Sequence, residues 1–257
     1  MTRSEPQQDE DQRHTALARA LARHGVTRCA IMATTFRSGS TWIGRIMDRH
    51  GLHGMKHERL RHVPGQGDCR PAFDAMLAQV PGPVFASRLM WPQRNRLAQG
   101  LGLGRADCAR FAAQFPAADW LWLRRRDVFA QAISYWRARR TGRWHVQCGD
   151  HAAQPAPDYD FPAIDACVRE LVLHDRLWQD FFALANTAPW VVWYEDLLID
   201  ATPIARFMAR FGHNLVETDS DLMAMADAHS AACRDRYLAE LFRRSKGLDS
   251  PTGVIAA

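Results

Sequence analysis

The segment ATTFRSGSTW, residues 33–42, combines an arginine with small and hydroxyl residues directly after the apolar run 29–32. A buried strand followed by a Ser/Gly/Thr turn and a helix directs unpaired backbone N–H groups at an anion. Arg37 adds a charged, planar set of donors, and Gly39 permits a tight turn with close backbone approach. The segment therefore predicts a P-loop-like phosphate-binding loop. Its predicted members are Arg37, Ser38, Gly39, Ser40 and Thr41.

The same segment argues against an ordinary nucleoside triphosphate site. Such a site uses a loop lysine on the terminal phosphates and a downstream acid for magnesium. This loop contains no lysine, and the apolar run DWLWLRR at 119–125 ends in arginines rather than an acid. A kinase-like nucleotide-dependent transferase is therefore a secondary hypothesis, and a serine-rich helix cap without a ligand is the plainer alternative.

The elements that position this loop alternate between strands and helices. Such alternation predicts an α/β fold, a three-layer sandwich with a central parallel sheet. We expect a disordered tail over 1–12 and a single domain over 13–257. The segment 52–72, rich in Gly, His and Pro, is predicted to be a loop. Strands are predicted at 29–35, 84–91, 119–125 and 189–196, and helices at 13–24, 40–51, 127–142, 163–186, 197–212 and 218–246.

Composition excludes several classes of protein. The 257 residues contain no apolar run of the roughly 18 residues that a membrane-spanning helix needs, and the N-terminus has no secretory pattern. Six cysteines without a CxxC pair indicate neither zinc nor disulfides, so we expect a cytoplasmic protein. All basic residues except Lys56 and Lys246 are arginine, which indicates a coding bias. The net charge of +5 is therefore weak support for nucleic-acid binding, which we do not expect.

Three motifs together resemble one enzyme family. RSGSTW after a strand looks like the 5′-phosphosulfate loop of sulfotransferases that use 3′-phosphoadenosine 5′-phosphosulfate. The segment 124–144, RRRDVFAQAISYWRARRTGRW, resembles the R-x-D…QA-x-S…RA-x-QT…W pattern of bacterial carbohydrate sulfotransferases of the trehalose 2-sulfotransferase type, whose relatives include nodulation-factor sulfotransferases. SRLMW at 87–91 is similar to the K-L-M-W of that family, and YEDL at 194–197 fits a common later segment.

The resemblance implies a reaction and a donor site. The donor would be 3′-phosphoadenosine 5′-phosphosulfate, the product adenosine 3′,5′-bisphosphate, and the acceptor a hydroxyl of a glycan or small molecule, without a required metal. The loop 37–42 would hold the phosphosulfate, and Arg125 or Arg126 with Ser134 the 3′-phosphate. The family pattern favours Arg125, although both arginines remain candidates. A protein that binds this nucleotide without turnover is the alternative from a different functional class.

The catalytic base is expected in the loop after the first P-loop helix. Where the family carries G-E-P-x-E, this sequence has GMKHE at 54–58, which matches Glu58 to the proposed base and replaces the first glutamate by Met55. His57 is the second candidate because imidazole titrates near neutrality. Arg88 replaces the family lysine and would contact the sulfuryl oxygens. Predicted acceptor contacts are His53, Trp91, Trp136 and Trp144, with burial in the core as the alternative for the tryptophans. A homodimer and a monomer both remain open.

Overall fold

The structure is a computed structural model that describes residues 15–145, 157–216 and 227–246. The predicted tail over 1–12 and the start of the predicted helix 218–246 lie outside these residues. The chain forms two compact units. Of the described residues, the first comprises 15–126 and 173–216, and the second 127–145, 157–172 and 227–246. The expectation of a single domain stays a prediction.

The elements follow one another in the alternating order that the sequence predicts. The strands are β1 (Arg28–Thr34), β2 (Val84–Met90), β3 (Ala118–Arg124) and β4 (Trp190–Trp193). The helices are α1 (Ala16–Arg23), α2 (Ser40–Arg49), α3 (Arg70–Leu77), α4 (Trp91–Gly100), α5 (Cys108–Ala112), α6 (Val128–Thr141), α7 (Phe161–Leu184), α8 (Tyr194–Leu197), α9 (Thr202–Ala209) and α10 (Ala228–Ser245). A 3₁₀ turn covers Arg59–His62.

The first unit is built on a sheet of four parallel strands in the order β2-β1-β3-β4. Thr34 at the end of β1 pairs with Met90 of β2 and with Leu123 of β3. The chain passes from β1 outward to β2 and then crosses to β3 on the other side of β1. Ligands of open α/β sheets bind at such a switch point, outside the carboxyl ends of the strands. This edge is where the predicted phosphate loop lies.

Apolar side chains cover both faces of the sheet because successive strand residues point to opposite sides. On one face Ile31 and Trp120 pack with α1, α3, α4, α5 and the end of α7. On the other face Met32 and Leu121 pack with α2 and α9. The predicted α/β fold with a parallel sheet between helical layers is confirmed.

The second unit contains α6, α10 and the first part of α7. Tyr237 of α10 stacks on Phe161 with ring centroids 5.0 Å apart, and its hydroxyl donates to Asp165 at 2.8 Å. Arg137 of α6 pairs with Asp227, the residue that caps α10, at 2.7 Å. Ring stacking and charged hydrogen bonds therefore join the helices of this unit. No helix of the described residues is long and apolar enough to cross a bilayer.

Several segments differ from the sequence prediction, among them the short helix α5, which was not predicted. The predicted loop 52–72 includes the 3₁₀ turn and the first residues of α3, which begins at Arg70. Helix α4 was not predicted, because its sequence WPQRNRLAQG buries Gln93 and Arg94 beside apolar residues and shows no apolar stripe.

Candidate active site

The loop after β1 is held in an uncommon backbone conformation. Arg37 has φ of +61° and Gly39 of +87°, so two of its residues are left-handed. The hydroxyl of Ser38, which is fully buried, lies 2.5 Å from Thr34 Oγ1, and Thr34 Oγ1 donates to Leu123 O at 3.0 Å. A non-glycine residue with positive φ is costly and is maintained by its surroundings, often at a functional site. These hydroxyl contacts fix the loop to β3.

Tyr194, the first residue of α8, packs directly on this loop. A Cβ added at Gly39 would lie 2.3 Å from Tyr194 Cδ2, so only glycine allows both the left-handed turn and the ring contact. The same ring meets Trp42 edge to face at 6.1 Å, and the Arg125 guanidinium lies 4.9 Å from its centroid. Tyr194 thereby connects the phosphate loop to the residues after β3.

The structure distinguishes between Arg125 and Arg126, which the sequence left as alternative candidates for binding the phosphate. Arg125 turns toward the loop and donates from Nη1 to Arg37 O at 3.0 Å, with its side chain 17% exposed. Arg126 points away and is 49% exposed, and its guanidinium forms a two-pronged pair with Asp196 at 2.5 and 2.8 Å. Its backbone N–H donates to Glu195. Arg125 is therefore the arginine beside the loop.

Positive charge is concentrated at the loop. Burial and the neighbouring charge of Arg125 lower the pKa of Arg37 to about 10. The positive charges of Arg37 and Arg125 repel each other, and an anion bound between them would relieve the repulsion. Arg125 Nε is buried and has no hydrogen-bond partner among the described residues; the nearest carboxylate oxygen, Oε1 of Glu195, is 4.0 Å away. The electrostatics favour a bound polyanion.

Arg88 brings a third guanidinium to this edge of the sheet. It lies in β2 and is 5% exposed. Nη1 donates to Thr41 Oγ1 at 2.7 Å, and Nη2 donates to Lys56 O at 2.8 Å. Gly44 of α2 keeps this region open, since a Cβ there would lie 2.6 Å from the carbonyl oxygen of Met55 and 3.2 Å from Arg88 Cδ. Burial lowers the pKa of Arg88, with Glu58 opposing the shift.

Glu58 lies beside Arg88, as the prediction of a base next to the loop requires. Its Oε1 is 3.6 Å from Arg88 Nη2. Its Oε2 accepts a hydrogen bond from Nε2 of Gln93, a residue of α4 that the sequence did not single out. The side chain of Glu58 is 22% exposed. The carboxylate is therefore partly accessible and held from two sides.

The loop before Glu58 is fixed by Asp48 of α2. Asp48 accepts from Gly54 N at 2.6 Å and pairs with Lys56 Nζ at 2.9 Å. Met55 is fully buried in the apolar layer, so a side chain at this position lies in the core. His57 is exposed, and burial together with the charges of neighbouring basic residues lowers the pKa of its ring.

The remaining predicted residues lie away from these contacts or in the second unit. Trp91 is 6% exposed and packs edge to face on Trp178. It therefore lies in the core, which was the alternative to an acceptor contact. Ser134 is half-buried in α6 of the second unit. Trp136 is 1% exposed there, and Trp144 is 38% exposed beside Tyr135. His53 is exposed in the loop after α2. The acceptor and 3′-phosphate roles of these residues stay predictions.

Sequence reasoning missed Gln93 and the packing role of Tyr194. The capping role of Gln93 could be expected from the sequence, because a glutamine at the third position of a helix often bonds back to the cap residue. Tyr194 was seen as part of YEDL, but its contact with Gly39 depends on tertiary structure. In the described ranges, no cluster of three or more His, Cys, Asp or Glu residues suits a metal ion.

Comparison with known families identifies the protein class. The family model described as Stf0 sulphotransferase matches residues 72–240, more than half of the chain. The chain belongs to the Stf0 sulphotransferase family. The protein is therefore a sulfotransferase, and the suspected family is confirmed. No curated protein matches the chain.

The matched range divides the candidate site. It includes Arg88, Gln93, Arg125 and Tyr194, whereas the phosphate loop and Glu58 precede residue 72. Arg125 contacts Arg37, and Arg88 contacts Glu58, so matched residues lie against residues outside the match.

Proposed function

We propose that this sulfotransferase moves the sulfuryl group of 3′-phosphoadenosine 5′-phosphosulfate to a hydroxyl of a carbohydrate or other small-molecule acceptor. The observation that carries the proposal is the hydrogen bond of 3.0 Å from Arg125 to the backbone of Arg37. It places the Arg125 guanidinium against the loop before α2, on the switch-point edge of a parallel sheet, where its charge acts on Arg37. This arrangement suits a ligand with several negative charges and no accompanying magnesium.

The residues present fit such a donor. Arg88 Nε and Arg125 Nε are buried and lack hydrogen-bond partners among the described residues. Buried donors of this kind are costly unless they are satisfied, and phosphate or sulfuryl oxygens would satisfy them. Backbone N–H groups at the start of α2 add further donors to the loop. We assign the loop 37–42 and Arg88 to the phosphosulfate, and Arg125 to the donor's phosphate groups, the 3′-phosphate included.

Each side chain then has a distinct chemical role. The bound donor supplies the sulfuryl group, whose sulfur bonds to the acceptor oxygen while its bond to the 5′-phosphate oxygen breaks. Glu58 accepts the proton of the acceptor hydroxyl. Arg37 and Arg88 stabilise the negative charge that develops between sulfur and the departing phosphate. His57 is the alternative base, and burial with the neighbouring positive charges lowers the pKa of its ring, which favours the neutral form.

Donor preference is the direct test of the proposal. Adenosine 3′,5′-bisphosphate is expected to raise the melting temperature at concentrations where ATP with magnesium does not, because a ligand that binds only the folded state stabilises it. Arg125→Lys should weaken this stabilisation, whereas the matched change Arg126→Lys, at an exposed arginine paired with Asp196, should leave it intact. Equal or better stabilisation by ATP with magnesium would favour a kinase-like transferase instead.

Turnover separates an enzyme of this specificity from a protein that only binds the nucleotide. Metabolite extracts incubated with the protein and the donor should yield products heavier by one sulfuryl group in mass spectrometry. Nucleotide binding without a sulfated product or bisphosphate release from any extract would favour the non-catalytic alternative. The expectations of a cytoplasmic location, of no nucleic-acid partner and of a homodimer or monomer stay predictions.

A further inference from the structure

The Glu58 carboxylate is held by two different groups, one at each oxygen. Gln93 Nε2 donates to Oε2, and Arg88 Nη2 lies 3.6 Å from Oε1. Arg88 is committed to Thr41 and to the backbone of Lys56 by shorter bonds. The hydrogen bond from Gln93 is therefore the closest contact that defines the direction of the carboxylate.

The orientation of the Gln93 amide is set by the backbone. Gln93 is 7% exposed and lies in the first turn of α4, where its Oε1 accepts from Met90 N at 3.0 Å. With the amide oxygen occupied by an N–H donor, the amide nitrogen must face Glu58. Gln93 can then only donate to the carboxylate, whichever protonation state Glu58 adopts.

We propose that Gln93 is a positioning residue that keeps the Glu58 carboxylate aimed for proton abstraction. A hydrogen bond donated to one oxygen of a carboxylate fixes the orientation of the group. A base must keep its free lone pairs toward the proton that it accepts. The inference rests on the proposed function, since it takes Glu58 to be the base, and it adds a residue that acts through Glu58 rather than on the substrate.

If Gln93 only capped helix α4, substitutions at this position would have different effects on Glu58. If Gln93 served only to cap α4, a residue that still accepts from Met90 N–H would replace it without consequence for Glu58. Gln93→Glu keeps the shape and the acceptor but places a second carboxyl against Glu58. Gln93→Met keeps the approximate volume and removes both hydrogen bonds. The two variants therefore separate capping from control of the carboxylate.

The test is ¹³C NMR of carboxyl-labelled glutamate in the full-length protein at pH 7. Glu58→Gln identifies the Glu58 resonance by its disappearance. In Gln93→Met the Glu58 resonance should move toward the chemical shift of an exposed glutamate carboxylate, because the hydrogen bond that holds its Oε2 is lost. In Gln93→Glu, which keeps the acceptor for Met90 N–H but cannot donate as a carboxylate, the Glu58 resonance should move as well.

The matched control is Gln99→Glu, the same change at an exposed position of the same helix, which should leave the Glu58 resonance unchanged. An unchanged Glu58 resonance in Gln93→Glu, with the fold verified by circular dichroism, would overturn the inference even if Gln93→Met failed to fold. The measurement uses neither donor nor acceptor. Failure of the positioning role is therefore distinguishable from failure of the proposed function, which the adenosine 3′,5′-bisphosphate experiment tests.

Discussion

Two buried arginines lie close together in the sequence, Arg88 in β2 and Arg94 in α4, and their surroundings differ in kind. Arg88 contacts oxygen atoms: the Thr41 hydroxyl at 2.7 Å, the Lys56 carbonyl at 2.8 Å and, at longer range, Glu58. Arg94 is fully buried among aromatic rings, with its guanidinium carbon 4.7 to 5.3 Å from the ring centroids. Those rings belong to Trp91, Phe111 and Phe181.

The comparison shows that burial of a charge does not by itself identify a functional arginine. Burial lowers the pKa of both groups, and each has a buried Nε without a hydrogen-bond partner among the described residues. Fixed oxygen atoms orient Arg88 toward the loop and the predicted base. Ring faces attract the Arg94 charge, and the hydrogen bonds that Arg94 donates are long ones, to Asn95 Oδ1 at 3.4 Å and to Cys108 Sγ at 3.7 Å. The partners of an arginine, rather than its exposure, indicate whether it serves chemistry or packing.

Removing the carboxylate beside Arg88 is expected to have the largest effect. Glu58→Gln should lower the rate of sulfuryl transfer by about 10³-fold, within the range that a general base contributes. Adenosine 3′,5′-bisphosphate should still raise the melting temperature, because the loop and Arg125 are unchanged. Product formation followed by mass spectrometry measures the rate. His57→Gln is the control, and a larger loss there than in Glu58→Gln would transfer the role of base to His57.

Removing the charge from Arg88 and from Arg94 in turn tests whether only Arg88 contributes to catalysis. Arg88→Met should lower kcat by about 10²-fold, a typical cost of losing one group that stabilises developing charge. Arg94→Met should leave kcat within about two-fold, since Arg94 contacts rings and not the loop. Steady-state rates with donor in excess measure both variants. Equal losses in the two would mean that the aromatic environment also controls the site.

Arg94 should influence stability through its volume more than its charge. A buried charge without a carboxylate partner is costly to desolvate, and attraction to the rings offsets part of that cost. Arg94→Met should therefore change the unfolding free energy by less than about 1 kcal/mol. Arg94→Ala, which leaves a cavity between three rings, should cost about 3 kcal/mol. Urea denaturation measures both, and a loss from Met as large as that from Ala would show that the charge itself is stabilising.

Sequence patterns predicted the first unit well where local rules decide structure. The apolar runs of β1, β2 and β3 indicated buried strands because parallel strands are covered on both faces. The predicted strand at 189–196 proved shorter: β4 ends at Trp193, and Tyr194 begins a one-turn helix. The loop 37–42 could be recognised because its glycine and hydroxyl residues lie between an apolar strand and a helix, a pattern that depends only on neighbouring residues in the sequence.

Contacts between distant segments were beyond the sequence patterns. Nothing local to α4 reveals that Gln93 reaches Glu58, since the two come together only when β2 ends beside the loop after α2. The choice between Arg125 and Arg126 also depended on tertiary partners, because Asp196 of α8 pairs with the Arg126 guanidinium whereas Arg125 donates to the loop backbone. The resemblance favoured Arg125 but left both arginines as candidates.

The smallest expected effect is a pH dependence of stability from His57, whose backbone carbonyl accepts from Arg88 N at 3.0 Å. Burial, the charges of Arg59 and Lys56 and, to a lesser extent, that of Arg88 lower the pKa of the ring, while Asp48 opposes the shift. The folded protein therefore binds this proton less readily than the unfolded chain. The contribution of His57 to stability is fully present above about pH 6.5 and decreases as the pH falls through that value toward the folded pKa.

Because the ring is exposed and screened by solvent, the difference in unfolding free energy between pH 7.5 and 5.5 should shrink by less than about 0.5 kcal/mol in His57→Gln. Urea denaturation at the two pH values gives this difference for each variant. Arg88→Met should reduce the His57 contribution slightly by removing a nearby positive charge, whereas Arg94→Met should not. If Arg88→Met and Arg94→Met changed the His57 contribution equally, Arg94 would act on His57 as strongly as Arg88 does. Arg88 and Arg94 would then not differ in their electrostatic effect on the site.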